Sequence, residues 1–334
     1  AVPVDRVGRS RLPPQLARHG ARARARLEVE ASPSVPSQHL VGVIDPIGMR
    51  KSATHALALI SFPVRDRFAS AVRRMLALRE IRLLLVFGLS RSGTTFLAEA
   101  LTLDNDEAVK LHEPVKKLLR LSYSGPGGRS ADDEAFWSWV FEAERAPWKV
   151  HLLVCAIAVE ALRSPKKLLC VKPIAMSDCV EEAAAKTGGS VVFISRHPCG
   201  RSDSLMRQRG LDPSASRPDL VEFEQMGREW GGAHADFKRA IAEHPDWVWL
   251  RFEDLCANAV PVLKATYERL GLDWSEDVES ELTRMTNTES SDFYGTLRNS
   301  RAQIDKWKKS LSSDEVEAIR AGARSYATGL YDGF

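Results

Sequence analysis

Four short apolar runs, each closed by a glycine or a charge, set the frame of this chain. They are Leu83-Leu84-Leu85-Val86-Phe87, Leu168-Leu169-Cys170-Val171-Lys172, Val191-Val192-Phe193-Ile194-Ser195 and Trp247-Val248-Trp249-Leu250-Arg251. Near-continuous apolarity over so few positions predicts strands buried on both faces. Between the runs the apolar spacing changes to every third or fourth residue. Phe96, Leu97, Ala100 and Leu101 follow the first run in this way, and Leu205 and Met206 follow the third. Phe223, Met226, Trp230 and Phe237 mark a helix with a core face. Strands alternating with helices predict a central, mainly parallel sheet with helices on both sides, a three-layer α/β sandwich.

The turn after the first run carries the strongest chemical signal. Gly88-Leu89-Ser90-Arg91-Ser92-Gly93 has the G-x-x-x-x-G frame of a P-loop and opens onto a helix. Backbone N–H groups and the helix dipole converge there on one anion. The positions after Gly93 are Thr94-Thr95, however, and the basic residue is Arg91 inside the loop. A P-loop NTPase-like fold is expected, with a phosphorylated donor other than a hydrolysed ATP. The third run ends in Arg196-His197-Pro198, and Ser204 lies about two helical turns further on. A guanidinium fork with a hydroxyl suits a phosphate monoester. Taken alone, the same residues also fit a surface arginine and a helix-capping serine.

Together these segments resemble the sulfotransferases that use 3′-phosphoadenosine 5′-phosphosulfate (PAPS). Arg91-Ser92-Gly93-Thr94-Thr95 is similar to that family's 5′-phosphosulfate loop, with Ser90 where many members carry proline. Arg196 and Ser204 are similar to its 3′-phosphate motif, with His197 in place of the usual Asp. The resemblance implies that Arg91, Ser92, Gly93, Thr94, Thr95 and Phe96 bind the 5′ end of the donor, and Arg196 and Ser204 its 3′-phosphate. In the segment Arg298-Asn299-Ser300-Arg301 and Lys306-Trp307-Lys308, it implies that Arg298 and Ser300 close over the nucleotide. Bare chemistry also allows a solvated end with a core tryptophan there.

His112-Glu113-Pro114 resembles the place where carbohydrate and tyrosyl-protein members carry a general base, which implies that role for Glu113. Read from the residues alone, Glu113 is also a first-turn helix acid ahead of a proline, and His112 is a competing base. Lys172 resembles the lysine that stabilises the leaving phosphate. The cytosolic branch has its histidine two positions later, where this chain has Ile174, so the base is not expected from that segment. Catalytic roles are therefore expected for Glu113, Lys172 and Arg91. The expected reaction is sulfuryl transfer from PAPS, leaving PAP, to the hydroxyl of a glycan or of a small-molecule alcohol or phenol, with no metal. The alternatives are a P-loop kinase using ATP and Mg²⁺, and a non-catalytic PAP-binding protein. Trp247–Leu255 resembles a family segment with Phe252 replacing Tyr, and reads as architecture in which Glu253 and Asp254 cap a helix.

Composition narrows the partners. A net charge of +3 over 334 residues gives no reason to expect nucleic acid. Much of the excess lies in an Arg/Ala-rich arm, Arg6 to Arg26, so residues 1–40 are expected to be peripheral and residues 41–334 one catalytic domain. The start at Ala1 reads as the edge of a precursor or fragment. A cytoplasmic location is expected, or a Golgi or organellar one if an anchor or transit peptide precedes, since no apolar run reaches the ~20 residues of a membrane span. The five cysteines are odd in number and scattered, and read as reduced thiols without metal spacing. Cys199, near a helix start beside Arg196 and Arg201, is the one expected to be more reactive. Phe136-Trp137-Ser138-Trp139-Val140-Phe141 reads as core or as an acceptor-stacking surface. Oligomeric state is not legible.

Overall fold

Alternation inside the buried runs decides the architecture. In β1 (Arg82–Phe87), Leu83, Leu85 and Phe87 join one core cluster, while Leu84 and Val86 join another. A strand that feeds two cores needs a helical layer on each side. The computed structural model describes residues 62–103, 105–115, 147–173, 176–210, 217–287, 301–326, 328–332 and 334. All of these lie in the compact unit Asp45–Phe334. The expected arm over residues 1–40, the aromatic run 136–141, and Ile174, Arg298 and Ser300 lie outside the described residues.

Five parallel strands form one sheet in the order β2-β3-β1-β4-β5. The other strands are β2 (Ala108–His112), β3 (Leu168–Lys172), β4 (Ser190–Ser195) and β5 (Val248–Arg251). The strand runs expected from sequence are present, and β5 begins one residue later than its apolar run. β2 is an addition. It sits at the sheet edge, with Lys110 exposed between half-buried Val109 and Leu111, so it lacks the continuous apolarity that marks the inner strands. It pairs with β3 from Ala108↔Leu168 to His112↔Lys172.

One face of the sheet is covered by α1 (Phe62–Leu78), α3 (Pro147–Arg163) and α4 (Val180–Thr187), which contribute Val72, Leu153, Ile157 and Ala183 to the first core. The other face is covered by α2 (Thr94–Ala100), α8 (Ala259–Leu270) and α9 (Glu276–Asn287), with Leu97, Leu263 and Leu282 fully buried. A third core forms where α6 (Leu220–Glu243) crosses α10 (Ser313–Arg324), around Phe223, Trp230 and Ile319. The helices there touch backbone to backbone. A Cβ on Gly227 would fall 2.1 Å from the Ile319 carbonyl oxygen, and one on Gly322 would fall 2.0 Å from that of Glu224. The helical face expected from Phe223, Met226, Trp230 and Phe237 is thus a core face, as its spacing predicts.

The chain order places β1 between β3 and β4, so successive crossovers run to opposite sides of it. In open α/β sheets the crevice at the strand carboxyl ends beside such a reversal is where ligands bind. β1 leads there into the glycine loop, β2 into Glu113, β3 ends at Lys172, and β4 leads into Arg196.

Candidate functional site

The loop from Gly88 to Gly93 is built on backbone that only certain residues tolerate. Gly88 has φ 153°, Arg91 φ 69° and Gly93 φ 94°. Gly93 occupies the N-cap of α2 in a left-handed conformation, with no side-chain cap. Its pro-Cβ position lies 2.8 Å from Cδ2 of Phe252, so the loop is pressed onto that ring. A non-glycine residue at positive φ, as at Arg91, is uncommon and held only by its surroundings. The Arg91 Nε donates to Ser204 Oγ at 3.1 Å, and the Arg91 carbonyl accepts from Arg196 Nη1 at 3.0 Å. The loop arginine and both parts of the second motif, separated by more than a hundred positions, are thereby brought into one cluster.

Arg196 follows β4 and precedes α5 (Pro198–Arg209), which carries Ser204. It is only 6% exposed. Its guanidinium is held by the carbonyls of Arg91 and Gln303 (3.0 and 3.4 Å) and rests 4.2 Å above the Phe252 ring. Burial pushes its pKa down to about 10, against the attraction of Glu253. At neutral pH the group stays charged, and among the described residues its guanidinium meets carbonyl oxygens and a ring face rather than carboxylates. Such a buried cation retains positive potential for an anion.

Lys172 stands at the end of β3, 6% exposed. Its ammonium donates to Thr95 Oγ1 at 3.0 Å and lies 3.3 Å from Glu113 Oε1. The Glu113 N–H donates to the Lys172 carbonyl at 2.9 Å, extending the β2–β3 pairing by one residue. Glu113 itself is at φ 49°, in left-handed backbone at the exit of β2. Backbone and side chain both tie it to Lys172. The competing base, His112, has its Nε2 3.2 Å from Glu99 Oε1 on α2, and Glu99 also pairs with Lys110.

The other sequence candidates are placed as follows. Ser92 is fully buried, its N–H donating to the Leu89 carbonyl at 3.1 Å and its hydroxyl without a protein partner among the described residues. Thr94 opens α2 with its methyl against Gly88. Phe96 is partly buried against the second core cluster. Trp307 lies in the short turn Lys306–Lys309 and stacks on His197 at 4.7 Å.

Two expectations are corrected. Cys199 is fully buried and its thiol is pushed up to about 12 by that burial, so proximity to a helix start does not activate it. Burial likewise raises the other four free thiols. Glu253 does not cap α7 (Phe252–Ala257), whose N-cap is Arg251 without a side-chain cap. Its carboxylate instead accepts from the His197 N–H at 2.9 Å and from the Tyr331 hydroxyl at 2.7 Å. Sequence reading missed this role, and also the support that Phe252 and the Gln303 carbonyl give Arg196. The proximity of Phe252 to Gly93 had no sequence signal, because the residues meet only through the β1–β4 and β4–β5 pairings.

Among the described residues, no group of three or more His, Cys, Asp or Glu side chains is arranged to hold a metal ion. No described helix is long and apolar enough to cross a membrane.

Comparison with known proteins adds a separate observation. No family model matches the chain. Over 94 residues it is 34% identical to carbohydrate sulfotransferase 1 of Danio rerio, a stretch covering 25% of this chain and 22% of that protein's length. The chain is similar to sulfotransferases. Among solved structures, sulfotransferase STF9 from Mycobacterium avium matches with a TM-score of 0.49 at 13% identity, over 75% of this chain and 77% of that one. Mouse sulfotransferase SULT7A1 complexed with PAP matches with a TM-score of 0.47 at 13% identity, over 73% of this chain and 84% of that one.

Proposed function

We propose that this chain is a sulfotransferase that moves the sulfuryl group of PAPS to an acceptor hydroxyl. The observation that carries the reading is the arrangement around Lys172. A nearly buried ammonium sits at the mouth of an anion loop, 3.0 Å from Thr95 Oγ1 and 3.3 Å from a carboxylate at the exit of the neighbouring strand. Sulfuryl transfer needs an electrophile held by cations, a base for the incoming hydroxyl and a cation for the leaving phosphate, and little covalent chemistry.

The residues suit a nucleotide with phosphates at both its 3′ and 5′ positions. Arg91, the loop amides and the orphaned Ser92 hydroxyl form one anion-binding set; Arg196 and Ser204 form a second. The donor supplies the activated sulfuryl group, and the remaining work falls to this chain. Glu113 takes the proton from the acceptor hydroxyl as the acceptor oxygen–sulfur bond forms and the sulfur–oxygen bond to phosphate breaks. Lys172 and Arg91 stabilise the negative charge left on that phosphate. A positioned base of this kind contributes about 10²–10⁴-fold. The loop lacks the lysine after Gly93 that a nucleotide kinase places on the transferred phosphate, which counts against the kinase alternative.

A glycan hydroxyl is the acceptor we favour, from the Glu113-Pro114 context and the carbohydrate sulfotransferase likeness, with a small alcohol or phenol second. We place the catalytic domain at residues 41–334. Calorimetric titration with PAP, without metal, tests the donor assignment. Micromolar binding that ADP with Mg²⁺ does not match supports it; stronger ADP–Mg²⁺ binding overturns it.

A further inference from the structure

Glu253 links the turn after β4, the turn after β5 and the segment around Tyr331 through its two carboxylate oxygens. Its Oε1 accepts the N–H of His197, the residue directly after Arg196, at 2.9 Å; its Oε2 accepts the Tyr331 hydroxyl at 2.7 Å. The residue before it, Phe252, carries the Arg196 guanidinium 4.2 Å above its ring. Two consecutive residues after β5 therefore grip two consecutive residues after β4, one through the side chain and one through the backbone. Tyr331 closes the other end. It is 7% exposed, its ring meets that of His197 at 5.1 Å, and Arg251 lies 4.4 Å over its face. Both carboxylate oxygens of Glu253 are thus used in short bonds to separate elements, and the carboxylate reaches Arg196 only through space.

We propose that Glu253, tied to Tyr331, is a positioning residue for Arg196 and thereby sets recognition of the donor's 3′-phosphate. The inference rests on the sulfuryl-transfer reading above. The Arg196–His197 peptide is held from both sides, its carbonyl accepting from Trp230 Nε1 at 2.8 Å and its N–H donating to Glu253, and this fixes the backbone from which the guanidinium is presented. The Glu253 charge acts in the same direction, since it offsets part of the burial that disfavours charged Arg196.

The test compares two probes that differ only in the 3′-phosphate, PAP and 5′-AMP, by calorimetry on the full chain. Wild type is expected to prefer PAP. Glu253→Ala is expected to weaken PAP binding by about tenfold, one charged hydrogen bond's worth, and leave 5′-AMP affinity unchanged. Tyr331→Phe, which removes one oxygen, gives a smaller loss in the same ratio. Glu253→Gln keeps an acceptor for the His197 N–H and recovers most of the preference. If Glu253→Ala weakens both nucleotides equally, or Tyr331→Phe leaves the ratio untouched, the positioning role is overturned while the donor assignment stands. A wild type without preference for PAP over 5′-AMP overturns the donor assignment itself, and this inference with it.

Discussion

The two turns proposed to bind the donor's anions, both at the carboxyl edge of the sheet, are built on opposite plans. In that proposal the turn after β1 relies chiefly on its backbone, with Arg91 and Ser92 added to it. Gly88, Arg91 and Gly93 all sit at positive φ, and two of these three positions carry no side chain. The turn after β4 offers, in the same proposal, one long side chain, Arg196, whose supports come from Arg91, Phe252 and Gln303. The backbone cradle is mostly local in sequence, touched from afar only where Phe252 meets Gly93 and where Ser204 and Arg196 hold Arg91. A side-chain site is assembled from remote pieces and inherits the weakness of each. The two meet at Arg91, whose carbonyl serves the second turn while its Nε serves Ser204.

Substitutions separate the two plans, and the largest effect should come from a residue that belongs to neither. Glu113→Gln is expected to lower kcat by about 10²–10⁴-fold with PAP affinity retained, measured by steady-state sulfuryl transfer beside calorimetry. A parallel fall in PAP affinity would mean that base and donor site are one unit. Arg196→Ala should weaken PAP binding by about 10–100-fold through the side-chain turn alone, since charge-assisted bonds are worth about 1.5–3 kcal/mol. Gly93→Ala attacks the backbone turn. A Cβ there meets Phe252 at 2.8 Å in left-handed backbone, and a loss of about 1–3 kcal/mol in unfolding free energy is expected from urea titration.

Acid should also distinguish the turns. His197, in the second turn, has its pKa lowered to about 4 by burial, helped by Lys308 and Arg251, and its Nδ1 accepts the Cys199 N–H at 3.2 Å. The unfolded chain binds that proton near pH 6.5, so the folded state loses stability as pH falls from there toward 4, and regains it as pH rises. His234, lowered to about 3, contributes in the same window. His197→Phe should flatten the slope of urea midpoint against pH in part; an unchanged slope would remove His197 as a source. The smallest effect is expected at Cys199, whose raised thiol should resist iodoacetamide in the folded protein at neutral pH.

The contrast also explains what was legible in the sequence. Inner strands announce themselves because burial on both faces forces unbroken apolar runs, and the backbone turn does so because positive φ selects glycine. β2 (Ala108–His112) escaped because it is nowhere fully buried and carries Lys110 at its centre, whereas β5, at the other edge, still buries Val248 and Leu250 and was legible. Arg196 and Ser204 were legible as types at a spacing, but their supports were not. Glu253 looks like a helix-start acid in sequence, and only the β4–β5 pairing, Ser195↔Arg251, carries it to the backbone of His197. Cys199 misled for the same reason: the sequence shows its charged neighbours but not the packing of Phe223 and Trp230 around it.

The strand order also fixes when this site can exist during synthesis. β1 is the first described strand to leave the ribosome, yet its partners are β3 and β4, with Arg82 waiting for Leu168 and Leu84 for Ser190. At about 5–20 residues per second, the glycine loop is made several seconds before it has a sheet to stand on. Phe252, Gln303 and Tyr331 emerge later still. A nascent chain therefore holds the proposed donor site open until Tyr331 has appeared, and a chain cut short before it would carry the loop, the lysine and the glutamate while leaving Glu253 without its hydroxyl partner.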